Sequence, residues 1–96
     1  MALTTSKFDV VNYLSSDEDI ALYIAEALET GDEAFIIDAI GIVARAKGMS
    51  DVAAKAKLSR PSLYRGLKKT GHPQFSTILA VLSALGISLT AKLSDA

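Results

Sequence analysis

The chain has 96 residues, half of them apolar and 22% charged, with ten Lys and Arg against eleven Asp and Glu for a net charge of −1. Such a composition is globular, with room for one small core, which excludes a disordered chain and disfavours a multi-domain enzyme. Cysteine is absent, which excludes a disulfide scaffold, a thiolate zinc site and a cysteine nucleophile. No apolar run reaches the length of a signal peptide or membrane span, so the expected location is the cytoplasm.

Asp9–Leu14 reads as a short turn of helix. Ser16 then reads as an N-cap, with Asp17, Glu18 and Asp19 at the positive end of the helix dipole. Ile20, Tyr23, Ile24, Ala27 and Leu28 repeat at helical spacing, and Gly31 closes the segment. Asp32 caps the next helix, over about 32–47, with Phe35, Ile36, Ala39, Ile40 and Val43 in one stripe. Ile37 and Ile42 fall outside that stripe, so this helix is expected to be covered on more than one side. Gly41 inside it predicts a close neighbour, since glycine costs about 1 kcal/mol against alanine there.

Two short helices are expected next, over about 51–57 capped by Ser50 and over about 60–69 capped by Ser59. Val52, Ala56, Leu63 and Leu67 face inward, Ala53 is small enough for a close crossing, and Leu58 plugs the turn. Gly71 and Pro73 end this pair. The last helix, over about 74–85, carries Phe75, Ile78, Leu79, Leu82 and Leu85 on one face and stops at Gly86. Beyond it, Ile87, Leu89, Ala91 and Leu93 alternate with polar residues, which reads as a β-strand. A lone strand needs a partner, and the same strand of a second copy is the simplest one, giving a symmetric dimer through Ile87, Leu89 and Leu93.

Net charge conceals two blocks. Residues 1–43 hold one base and nine acids, net −8, whereas residues 44–72 hold eight bases and one acid, net +7. The basic block is an electrostatic footprint for a polyanion, and the acidic block suits a basic partner or acts as an internal counterweight. The two short helices fall in the basic block and raise the helix-turn-helix reading, with Arg60, Pro61, Ser62, Tyr64, Arg65 and Lys68 left on the outer face of the second.

The ordered set Met49-Ser-x-x-Ala53-x-x-x-x-Leu58-Ser-Arg-x-Ser62-Leu-Tyr-Arg65-x-Leu67, followed by Pro73-x-Phe-x-Thr77-x-Leu-x-Val81-Leu-x-Ala84-Leu-Gly86, resembles the HigA-like addiction-module antidote family of the Cro/Xre helix-turn-helix class. Phe8-Asp-Val, Tyr13-Leu, Asp19-Ile-Ala and Ala27-Leu resemble the same family's lead-in, so the likeness spans about residues 7–93. It departs at Lys57, where a turn glycine is usual and where another residue must accept a strained or altered turn. It departs again at His72, where asparagine is more usual.

The resemblance implies an all-α fold, a five-helix Cro/Xre-type helix-turn-helix domain with a short C-terminal β-strand for dimer pairing. Residues 1–96 form a single domain: an acidic helical segment over 1–30 for a partner, a helix-turn-helix core over 32–86, and a strand and tail over 87–96. It implies operator DNA, a cognate toxin and a second copy as partners. Arg60, Pro61, Ser62 and Arg65 are expected at base edges, and Ser50, Lys55, Ser59, Tyr64, Lys68, Lys69 and Thr70 at phosphates. The toxin, a small basic ribonuclease of the RelE/HigB type, is assigned to Phe8, Tyr13, Asp17, Glu18, Asp19, Glu26 and Glu29 by charge alone. No cofactor, metal, membrane or small-molecule substrate is implied, and the chain is not expected to be an enzyme. The residues lack a phosphate loop and a spaced ligand set, His72 suits a turn better than catalysis, and three consecutive carboxylates on a helix diverge around its axis. Two alternatives stay open: a stand-alone phage-type repressor without a toxin, and a protein-binding module that no longer touches DNA.

Overall fold

The computed structural model describes residues 14, 16–68 and 70–95. Among them the chain is wholly helical, with five helices and no strand. These are α1 (Asp17–Glu29), α2 (Glu33–Lys47), α3 (Met49–Ala56), α4 (Arg60–Gly66) and α5 (Phe75–Ala84). The expected helical turn at Asp9–Leu14 lies outside the described residues except for Leu14, which packs against the core.

Local chemistry sets most boundaries. The Ser16 hydroxyl accepts the Asp19 N–H at 3.1 Å, and an Asp32 carboxylate oxygen accepts the Phe35 N–H at 3.2 Å; both satisfy amides that the first helical turn leaves free. Gly31, with φ +66, turns the chain out of α1 as expected. Gly48 does more than end α2. Its φ of +105 lets it serve at once as the C-cap of α2 and the N-cap of α3. α3 therefore begins at Met49, and Ser50 is not its cap but an exposed residue of the first turn. The reason is packing: starting one residue earlier carries Met49 into the core, where it is 5% exposed.

Lys57 takes the left-handed conformation, φ 60 and ψ 42, alone among the described non-glycine residues. Its N–H donates to Ala54 and the next, of Leu58, to the Ala53 carbonyl at 2.9 Å, closing α3 as a glycine would. α4 is shorter than the expected 60–69 and ends at Gly66. Gly71 folds back over its last carbonyls, so close that a Cβ there would stand 2.7 Å from the Arg65 oxygen and 2.9 Å from that of Gly66.

The core gathers Ile20 and Ile24 of α1, Ile40 and Val43 of α2, Val52 of α3, Leu63 and Leu67 around the end of α4, and Val81, Leu82 and Leu85 from α5. α3 packs on α5, α2 and α4, and α1 lies against α2. Gly41 is the tightest point: a Cβ there would stand 2.8 Å from the Leu67 carbonyl oxygen. The end of α4 thus crosses α2 backbone against backbone. Ile37 and Ile42 are buried, as a helix covered on several sides requires.

Three apolar expectations are corrected. Phe35, Phe75 and Leu79 remain 45%, 65% and 42% exposed, while Val81, outside the expected stripe, is fully buried. Periodicity gives a face only to within about one residue, and the neighbours set the final rotation. The expected strand over 87–93 is absent from the single chain. Ile87 donates its N–H to Leu82 at 2.8 Å, and its side chain and that of Leu89 pack half-buried on the helical core, which leaves Leu93 exposed.

Candidate nucleic-acid interface

α4 is a seven-residue helix held from one side only, by buried Leu63 and by Leu67 just past its end. Everything that points the other way is polar or basic. Ser59 starts it: its hydroxyl accepts the Ser62 N–H at 3.1 Å and donates to the Ser62 hydroxyl at 2.8 Å. Pro61 sits in the first turn, where a missing N–H costs nothing.

The outer face is an ordered one. The Arg60 guanidinium donates to the Tyr64 hydroxyl at 3.3 Å and lies 5.5 Å from the centre of its ring, a cation–π arrangement one turn along the helix. Arg65 donates to the Ser62 hydroxyl at 3.3 Å. Both guanidinium groups are thus steered along the exposed side of α4, each by a neighbour three or four residues away. An open cleft of about 300 Å³ runs beside Arg65 between α4 and α5, lined also by His72 and Thr77. Lys68 and Thr70 extend the exposed polar surface beyond the helix, while Lys69 lies outside the described residues.

On α3, Lys55 pairs with Asp51 at 3.3 Å, and Ser50 is exposed one turn before it. An exposed pair of this kind is worth roughly 0.3–0.5 kcal/mol, so Lys55 is readily released to a stronger anion. Lys57 adds an exposed cation in the turn that leads to α4. The sequence pattern marks it only as an unusual turn residue; the signal for a surface role is its place between two basic helices.

The acidic block forms a different surface. On α1, Glu18, Glu26 and Glu29 fall in one row with Leu22, which is 59% exposed and which the apolar pattern does not single out. Asp17 is drawn instead toward Lys47 at 3.5 Å, and Glu29 is paired with Lys92 at 2.6 Å. Asp19 lends its N–H to the Ser16 cap. Phe8 and Tyr13 lie outside the described residues. His72 stands 3.4 Å from Glu33, with both side chains largely in solvent.

Among the described residues no three His, Asp or Glu side chains converge as metal ligands, and no helix is long and apolar enough to cross a membrane.

Residues 4–93 match the family described as probable addiction module antidote protein. A protein of Haemophilus influenzae strain Rd, described only as uncharacterized, is 42% identical over 80 residues, which cover 83% of this chain and 82% of that one. No solved structure matches.

Proposed function

Because this chain belongs to the addiction module antidote family, and an antidote implies a toxin, we propose that it works by two kinds of binding rather than by catalysis. It masks a small basic ribonuclease toxin of the RelE/HigB type, and it represses its own operon through α3 and α4 acting as a helix-turn-helix.

The observation that carries the DNA half is the outer face of α4, where Arg60 and Arg65 are both exposed and both steered by Tyr64 and Ser62. A guanidinium matches the O6 and N7 acceptors of guanine in the major groove, and a restrained one loses less freedom on binding. Ser62 and Pro61 lie beside them for a second base edge and a thymine methyl. Ser50, Lys55, Ser59, Lys68, Lys69 and Thr70 are assigned to the flanking phosphates, which fix register without reading sequence. Tyr64 contributes by holding Arg60 as well as by reaching the backbone. Two copies on a palindrome would set their α4 helices about 34 Å apart.

The toxin half rests on family membership for the partner and on charge for the place. The Glu18–Leu22–Glu26–Glu29 row of α1 offers carboxylates around one apolar side chain, which suits a basic protein surface. The stand-alone repressor is the weaker reading, since the family is one of antidotes.

A gel-shift assay of the purified chain on the DNA upstream of its own gene tests the DNA half. Wild type should bind at low salt and weaken as salt rises. Arg65→Ala should lose about 1–3 kcal/mol and relax preference at one base pair, whereas Lys68→Ala should weaken all sequences alike. Unchanged affinity and preference in Arg65→Ala would remove α4 from the recognition role.

A further inference from the structure

Residues 70–91 contain no Lys, Arg, Asp or Glu. α5 lies inside this stretch, yet Phe75 and Leu79, one turn apart on the same side, are 65% and 42% exposed. A helix that faces water normally carries charge there. Phe75 also stands at the lip of a groove of about 340 Å³ with Leu28, Ile36, Ile78 and Leu89 among its walls, and Glu33 is the one charged residue among the described lining. Leu28 is itself 40% exposed. The patch therefore holds a projecting aromatic ring and an apolar hollow side by side.

That juxtaposition selects the occupant. A partner of another kind needs only the hollow, whereas a contact across a two-fold axis uses the same patch on both copies, so knob and hole must both be present. Charge points the same way. Near a two-fold axis every charge meets its own image, so the uncharged face suits a second copy, while the −8 and +7 blocks suit partners of opposite sign. The hollow is large enough, since a cavity of about 150 Å³ accepts benzene.

We propose that two copies of this chain associate through this face, the Phe75 ring of each entering the groove of the other between Leu28 and Ile78, with the two Leu79 side chains packed nearby. The terminal segment is the wall of this site, through Leu89, and not a strand added to a neighbour. The proposal deepens the dimer invoked for palindrome binding, but it is measured without DNA or toxin, so the two readings fail separately.

Sedimentation equilibrium on the purified full chain tests it. Wild type should be a dimer at micromolar concentration. Phe75→Glu should raise the dimer dissociation constant at least about 100-fold, because the two-fold axis duplicates each loss of apolar burial. Its helical circular dichroism should be unchanged, since the side chain is mostly in solvent. Removal of residues 91–96 should leave the dimer intact. The chain has no cysteine, so mixing Leu28→Cys with Phe75→Cys protein under oxidising conditions should give a cross-linked mixed dimer. A monomeric wild type, a Phe75→Glu variant that stays dimeric, or dissociation by the truncation alone would each overturn the proposal. The same holds if Phe75→Glu keeps the dimer and loses only a co-expressed toxin, for then the groove belongs to that partner. A dimer that ignores its promoter would sink the DNA reading and leave this one standing.

Discussion

Lys57 and Gly41 show backbone demands that side-chain patterns only hint at. Lys57 holds a left-handed conformation that costs a residue with a Cβ about 1–2 kcal/mol. Lys57→Gly should therefore stabilise the chain by about 1 kcal/mol in urea unfolding, and a lower midpoint would mean that the lysine stem contributes packing that outweighs the strain. Gly41 is the opposite case. Alanine would gain about 1 kcal/mol of helix propensity, but its methyl would meet the Leu67 carbonyl 2.8 Å away, where backbone cannot swing aside. Gly41→Ala should be net destabilising by about 1–3 kcal/mol, and a neutral result would show that α4 can back away from α2 freely. Both positions stand out in the sequence itself, the first as a missing turn glycine and the second as a glycine inside a helix.

At the scale of elements, the helices form where caps and glycines say they should, and the misses share one cause. The start of α3 moved to Met49 because burying that side chain outweighs the cap that Ser50 would have supplied. α4 stopped at Gly66 because Gly71 returns across its end. The α1–α2 contact carries a titrating group: Tyr23 is half-buried, and burial first, then the Asp38 carboxylate, raises its phenol above the ordinary value. A phenol kept neutral by the fold contributes stability that is fully present below its unfolded pKa, near pH 10. That contribution is lost as pH rises through the higher folded value. The melting temperature of wild type should thus fall more steeply on the alkaline side than that of Tyr23→Phe, and parallel alkaline limbs would show that Tyr23 ionises without strain.

The whole molecule divides its surface by charge: acidic on α1, basic around α3 and α4, neutral along α5. The Asp17–Lys47 and Glu29–Lys92 pairs are exposed contacts on this surface and are expected to stabilise it little. Reversal of the acidic row should therefore act on binding and not on folding. Glu18→Lys with Glu26→Lys should weaken toxin capture at least about tenfold, with promoter affinity held or raised and melting unchanged. Loss of both binding activities together would place the toxin surface elsewhere.

The linear chain by itself determined what depends on neighbours within about four positions: helix caps, left-handed turns, and the cluster of guanidinium and hydroxyl groups along Ser59–Lys68. It also determined the division of charge, because net charge over thirty residues survives any packing. Tertiary structure alone decided which apolar side chains went inside. Phe75 and Leu79 belong to the same helical repeat as Leu82, yet they stayed in solvent because α3 covers α5 from the other side. Residues 87–93 alternate like a strand, but no second strand lies within reach among the described residues, so Ile87 and Leu89 settled on the helices instead. Burial is a property of where distant segments come to rest, and a periodic pattern carries no record of that.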